Sequence, residues 1–335
     1  MTPRNGTIAC GRRRSDDGQV VVRLPEQGLI AVDLFAGAGG LSLGCQQAGL
    51  SVVAAFESWH AAVAIYNANL SHPCFLWDLS DPVLAAAEIS RHRPEMIVGG
   101  PPCTDFSSAG LRDEGTKANL TRAFANTVAA VRPEWFIMEN VERATLSQAY
   151  KEARDVFAGA GYGLSENVLD ASLCGVPQKR KRFFCVGRLG EKDGFLDAEL
   201  KTGLAAAPMS LRDYFGDELG VDHYYRHPRN YARRSVFSID EPSPTIRGVN
   251  RPVPPGHARH AGDTADPQAV APLTLGQRAQ IQTFPKDFIW LGTKTAKEQM
   301  IGNAVPVALG RYVASAVMRY SAQVAASNLV FDKAA

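Results

Sequence analysis

Several features that mark other protein classes are missing from this chain. Its six cysteines (Cys10, Cys45, Cys74, Cys103, Cys174 and Cys185) include no C-x-x-C pair. That spacing argues against a disulfide framework or a metal site and suits reduced thiols inside a cell. No stretch is read as reaching the roughly 18 apolar residues that span a bilayer. Arginines at 12 to 14 are not followed by an apolar run, so no secretion signal is expected. Neither sign of charge is in excess. The net charge is +2 over 335 residues, so any nucleic-acid footprint has to be local. Internal repeats and low-complexity tracts are also missing. What remains is a globular composition, 45% hydrophobic and 21% charged, with length for one large core and a smaller second unit. A cytoplasmic protein is expected.

Residues 1 to 27 are polar and rich in Gly, Arg and Asp, and loose order is expected there. From residue 29 onward, short apolar runs alternate with helical patterns. Strands are predicted at 29–35, 52–56, 95–98, 135–138 and 182–186, and helices at 41–48, 60–69, 274–283 and 305–326. Strand–helix alternation predicts an α/β fold with a doubly wound, mostly parallel sheet. In that architecture ligands collect at the carboxyl ends of the strands, and the chemically interesting residues here follow strand-like runs.

The first such place is Asp33 to Gly40, which reads D-L-F-A-G-A-G-G. Its glycines allow a tight turn and close backbone approach to a ligand. A dinucleotide fingerprint would need glycine at position 42, and Ser42 stands there. Glu57, ending the next strand, is placed to hold ribose hydroxyls, and Asp78 could accept from an exocyclic amine. A nucleoside cofactor without a pyrophosphate fits these positions better than NAD; a purely structural turn with two surface carboxylates is the alternative.

Residues 99–108 read G-G-P-P-C-T-D-F-S-S. Two prolines stiffen the turn, so Cys103 is presented rigidly at a strand end, as a nucleophile would be; a lone cysteine is otherwise a small buried residue. The polar stretch to Lys117 could form a lid. Glu139-Asn140-Val141 follows the neighbouring strand, where a carboxyl could bind or protonate a ring nitrogen. Gln178, Arg180 and Arg182 alternate along a strand and so share one face. If buried, that row needs partners such as a base carbonyl or a phosphate.

Taken together these segments resemble the C5-cytosine DNA methyltransferases of bacterial restriction-modification systems, in order from residue 29 to about 320. The match is carried by D-L-F-A-G-A-G-G at 33–40, G-G-P-P-C at 99–103, E-N-V at 139–141, Q-x-R-x-R at 178–182 and Q-x-I-G-N-A-V-P at 299–306. The resemblance implies a Rossmann-like S-adenosylmethionine-dependent domain (28–190 and 290–327) and a small, loop-rich target-recognition domain (191–289). It implies Cys103 as nucleophile, Glu139 at cytosine N3 and the exocyclic amine, and Arg182 at O2, with Gln178 and Arg180 supporting the active loop. Phe35, Ala36, Gly37, Gly39, Gly40, Leu41, Glu57, Ser58, Trp59, Asp78, Leu79, Pro101, Leu120, Asn303 and Ala304 would line the S-adenosylmethionine pocket. Two positions depart from the family pattern. Thr104 follows the nucleophile where many relatives carry glutamine, and the segment 273–285 keeps Leu-Thr and Phe-Pro but lacks Pro-Arg-Glu between them.

Between residues 223 and 260 stand seven arginines against Asp240 and Glu241, with four of the seven histidines. This is the local basic footprint expected of a DNA reader. Thr245 belongs to a Thr-aliphatic marker. Arg247, Asn250 and Arg251 are candidate groove readers, and Ser107 a candidate to close over a flipped base. The implied partner is double-stranded DNA, with a restriction endonuclease acting separately, and the chain is expected to be monomeric. An RNA cytosine methyltransferase on the same fold and a non-catalytic regulator remain the alternatives.

Overall fold

The computed structural model describes residues 28–102, 118–230 and 232–334. The first half winds as β1 (Ile30–Leu34), α1 (Gly40–Gln47), β2 (Ser51–Glu57), α2 (His60–Asn69), β3 (Cys74–Leu76), α3 (Pro82–Ile89) and β4 (Met96–Gly99). It continues as α4 (Ala118–Val131), β5 (Trp135–Val141), α5 (Gln148–Gly159), β6 (Tyr162–Asp170), β7 (Gln178–Lys179) and β8 (Lys181–Leu189). The second half is α6 (Asp197–Thr202), α7 (Leu211–Phe215), β9 (His223–Tyr225), β10 (Val236–Ser238), β11 (Ser243–Pro244), α8 (Leu275–Ile281), α9 (Lys294–Asn303) and α10 (Val307–Ala334).

Seven strands form one sheet in the order β3-β2-β1-β4-β5-β8-β6. The first five are parallel, while β8 runs antiparallel to both β5 and β6. Continuous apolar runs such as Ala31-Val32 and Met96-Ile97-Val98 are fully buried, as strands covered on both faces require. One face packs on α1, α6 and α10, the other on α3, α4 and α5. The chain winds outward from β1 through β2 to β3, then returns to β4 and β5. The winding therefore reverses between β1 and β4, and sheets of this kind bind ligands at such a point, outside the strands' carboxyl ends.

The stretch Lys294–Ser327 is long and apolar enough to cross a membrane by length and composition, which the sequence reading did not anticipate; 72% of its most apolar window is buried inside the protein. It therefore serves as a core element. Helix α10 lies along α1, returning to the sheet across the whole chain.

The segment from 205 to 289 has short elements and long connections. Its apolar residues (Leu211, Tyr224, Phe237, Ile246, Phe284) join Ile65 and Tyr66 of α2 and Met300 and Ile301 of α9 in one cluster. Leu196 and Leu200 belong to the buried cluster that also holds Trp135, Val186 and Val313. Packing thus groups α6 with the sheet. The missing Pro-Arg-Glu does not disturb α8: Thr274 and Gln277 form a reciprocal capping box at its start.

Candidate active site

The turn after β1 is built from left-handed backbone. Phe35, Gly37 and Gly39 have φ of 58°, 55° and 90°. A Cβ on Gly37 would meet nothing within 4 Å, so the turn faces open space. Glu57, at the end of β2, accepts from Gly37 N at 2.9 Å and from Trp59 N at 2.8 Å, one carboxylate oxygen to each. The carboxylate is therefore fixed against the turn while each oxygen keeps a further lone pair. Asp78, exposed beyond β3, accepts from Ser80 N at 2.9 Å. Ser58 is exposed, and Trp59 and Ala304 are partly buried. Ala36, Leu41, Leu79 and Pro101 are buried. A Cβ on Gly40 would stand 2.3 Å from Val305 O, which brings the 303–305 segment, with Asn303 exposed, beside the same turn. Leu120 is partly buried on the first turn of α4. An open left-handed turn backed by a fixed carboxylate leaves room for a ligand that offers hydrogen-bond donors.

Beneath the turn runs a buried polar chain that the sequence did not reveal. Asp33 is fully buried in β1 and accepts from Ser42 Oγ at 2.6 Å. Tyr66 donates its hydroxyl hydrogen to Ser42 Oγ at 2.6 Å, and His72 Nε2 meets the same hydroxyl. Ser42, which broke the dinucleotide pattern, is thus a link in this chain. Burial pushes the Asp33 carboxyl up to about 7, Glu57 adds to the rise, and the Ser42 hydrogen bond opposes it.

The second half of the site lies across β4, β5 and β8. Strand β5 extends through Val141, so Glu139 and Asn140 lie within it rather than after it. Asn140 Nδ2 donates to Pro101 O at 3.1 Å. Its neighbour Glu139 has Oε2 only 3.1 Å from where a Cβ on Gly100 would be. The Gly-Pro-Pro turn that leads to position 103 is thereby held against the Glu-Asn pair. Arg182, on β8, brings Nε to 2.9 Å from Glu139 Oε1, with both side chains under 15% exposed (14% and 10%). Among the described residues no well-directed hydrogen bond reaches that oxygen, and the close contact with Arg182 is an ion pair. Burial pushes the Glu139 carboxyl up, against the pull of Arg182 and Arg180. Cys103, Thr104, Ser107 and the rest of the segment to Lys117 fall outside the described residues, as do residues 1–27.

Burial alternates along β7 and β8 as the shared-face reading requires: Gln178 and Arg180 are buried, Lys179 and Lys181 exposed. The partners differ from those expected. Arg180 donates to Ile246 O at 3.1 Å and to Gly302 O and Ala304 O at 3.0 Å each. Gln178 donates to Gln282 and accepts from Ile246 N at 2.8 Å. Protein carbonyls and amides partner both side chains, while Arg180 Nε has no hydrogen-bond partner among the described residues.

From Arg182 a basic cleft runs outward. A concavity of about 640 Å³ lined by Arg143, Lys179, Lys181, Arg182 and Arg229 adjoins one of about 740 Å³ lined by Arg226, Arg229, Arg233 and Arg247. Lys179, Arg229 and Thr245 line both. Glu241 in the second is paired with Arg234 at Nη1–Oε2 3.0 Å. Arg226 is pushed down to about 10, first by burial and then by Arg247. Thr245 donates through Oγ1 to Lys179 O at 2.8 Å. Arg247 donates to His227 O, and Asn250 Nδ2 to Leu273 O at 2.8 Å. Arg251 is exposed.

Residues 29–319 match the family of C-5 cytosine-specific DNA methylases. The chain belongs to that family. This methylase is 52% identical over 292 residues to the Type II methyltransferase M.HindV of Haemophilus influenzae, spanning 86% of this chain and 96% of that one. It is also 52% identical over 290 residues to the Type II methyltransferase M.HgiDI of Herpetosiphon aurantiacus, spanning 86% and 94%. Among solved structures, the S. pombe Dnmt2 methyltransferase shares the fold with a TM-score of 0.64 at 18% identity, covering 88% of this chain and 99% of that one. The methylase family implies a methyl donor and a DNA substrate. It bears out the α/β, Rossmann-like reading.

Proposed function

We propose that this methylase transfers a methyl group from S-adenosylmethionine to C5 of a cytosine flipped out of a specific short sequence in double-stranded DNA. The single observation that carries the reading is the buried Glu139–Arg182 pair at the mouth of a basic cleft. A carboxyl and a guanidinium at that depth suit N3 with its exocyclic amine and O2 of one pyrimidine ring. S-adenosylmethionine, when bound, supplies an electrophilic methyl group on a sulfonium. The Gly37 turn, Glu57 and Asp78 are the residues that would hold it.

Cytosine C5 is a weak nucleophile. In the proposed reaction the Cys103 thiolate adds to C6, forming a C6–S bond while the C5–C6 π electrons shift toward C5 and the N3–O2 edge. Glu139 and Arg182 stabilise charge there, which lowers the barrier. C5 then takes the methyl group, whose bond to the donor sulfur breaks to leave a neutral thioether; water or hydroxide removes the C5 proton, and the C6–S bond breaks to release Cys103. Because C6 is inaccessible in a stacked duplex, the base must leave the helix, with Ser107 and its neighbours closing over it. A carboxylate oxygen accepts more than one hydrogen bond, so Glu139 can hold Arg182 and the base together.

Residues 205–289 are the sequence-reading region on this account, with Arg247 and Arg251 toward the bases. The relatives named Type II methyltransferases support a restriction-modification role; action in the cytoplasm, as a monomer beside a separate endonuclease, is part of the proposal. Bisulfite sequencing of DNA from an expression host without C5 methylation tests the proposal. Protected cytosines within one short sequence are expected. DNA fully converted despite folded protein overturns it, and protection confined to RNA transfers the reading to an RNA substrate.

A further inference from the structure

Five hydrogen bonds close a ring between two places that the proposed function keeps apart. Ile246 N donates to Gln178 Oε1 at 2.8 Å, and Gln178 Nε2 donates to Gln282 Oε1 at 2.7 Å. Gln282 Nε2 donates to Ala304 O at 3.3 Å and, more tightly, to Ile301 O at 2.6 Å. Arg180 Nη2 donates to the same Ala304 O at 3.0 Å, and Arg180 Nη1 returns to Ile246 O at 3.1 Å. Gln178, Arg180 and Gln282 are all at most 1% exposed, so water cannot substitute for a broken link. The backbones also touch directly: a Cβ on Gly302 would stand 2.1 Å from Gly248 N.

On one side of the ring is Ile246, between Thr245 and Arg247 of the reading region. On the other is the C-terminal end of α9, Gly302–Ala304, which carries Asn303 beside the glycine-rich turn. We infer that Gln282 is a positioning residue that couples sequence reading to cofactor binding. Seating the correct bases against Arg247 fixes the backbone of Ile246, which through Gln178 and Gln282 fixes this end of α9. Coupling of this kind is reciprocal for binding free energies. A buried polar ring has few alternative arrangements, because a displaced member leaves an unsatisfied group. The inference rests on the proposed function, since it takes DNA and S-adenosylmethionine as the two ligands.

The test measures the Kd of S-adenosylhomocysteine alone, with a duplex carrying the mapped site, and with a scrambled duplex. The wild-type methylase is expected to bind it about tenfold more tightly with the mapped duplex than with the scrambled one, within the usual span of allosteric couplings. Gln282→Leu keeps the volume and removes both ring links, and should bring that ratio below about 2 while the affinity without DNA changes less than threefold. Gln178→Leu and the double variant should give the same low ratio, because all three variants lose the Gln178–Gln282 bond. An unchanged ratio in a Gln282 variant of normal melting temperature overturns the inference. If Gln282→Leu does not fold, Gln282→Glu serves: it keeps the acceptor for Gln178 and loses the donor toward Ile301 and Ala304, and the same drop is expected. A wild type that methylates DNA with a ratio near 1 overturns this inference alone. A wild type that methylates nothing removes the proposed function, and the coupling with it.

Discussion

Arg182 reaches Glu139 diagonally across an antiparallel pair. In the β5–β8 register Arg182 faces Val141 and Glu139 faces Phe184, so the two charged side chains are offset by two residues on one face. Long side chains bridge that diagonal, and burial gives the contact its weight. An ion pair in water is worth little, whereas here each group depends on the other, or on a substrate, for compensation.

Glu139→Gln retains shape and removes charge and acid. Turnover on a duplex is expected to fall by roughly 100-fold or more, with duplex affinity nearly unchanged. Single-turnover methylation beside a binding titration separates the two. Loss of binding with intact turnover of the bound complex would assign Glu139 a structural role.

Cys103→Ser replaces a thiol with a far less nucleophilic hydroxyl. Methylation should drop by several orders of magnitude, while S-adenosylhomocysteine still binds, as calorimetry would register. Activity within about tenfold of wild type would exclude covalent addition at C6.

Asp33 makes stability depend on pH. Its carboxyl is held at about 7 in the fold against 3.8 for the ordinary value. A raised acid favours the fold while protonated, so this contribution is complete below about pH 4 and is lost as pH rises toward 7. The burial of the group, beside Ser42, Tyr66, His72, Cys45, Cys74 and Glu57, is what holds the proton. Asp33→Asn removes the titration. Between pH 5 and pH 8 the variant should gain roughly 2 to 3 kcal/mol relative to wild type in urea denaturation. Parallel stability curves would show that Asp33 does not titrate in this window.

Asn250 and Arg251 are expected to separate. The Asn250 carboxamide holds Leu273 O, and its backbone N–H donates to Glu298 at 3.1 Å. Asn250→Ala should therefore lower the melting temperature by a few degrees, with about 1 kcal/mol of stability lost. Arg251→Ala should leave stability alone. If Arg251 pairs with guanine, discrimination at one base position relaxes by about 1–3 kcal/mol across a panel of single-substitution duplexes. A uniform loss that flattens the salt dependence would make it a phosphate contact.

The parallel sheet, its first two helices and the order of the site residues were legible in the sequence, because local signals specify them. Apolar runs such as Ala31-Val32 announce buried strands, and the glycines of 37–40 announce a tight turn. Strand–helix alternation then brings the ends of successive strands to one edge. Sequence likewise presented Glu139 and Arg182 as candidates, since a charged residue at a strand end is conspicuous.

Tertiary structure decided their meeting and their environment. The antiparallel insertion of β8 beside β5 joins residues 43 positions apart, and nothing local encodes it. The same holds for Gln178 and Arg180, whose polarity suggested a ligand and whose partners include the Gln282 side chain and the chain's own backbone at 246, 302 and 304. Asp33 looked like part of a motif and is a buried acid only because α1 and α2 close over it. Chemical type and local geometry are properties of short segments. Burial, partnership and charge state are properties of the packed whole, and these depended on contacts that sequence periodicity does not carry.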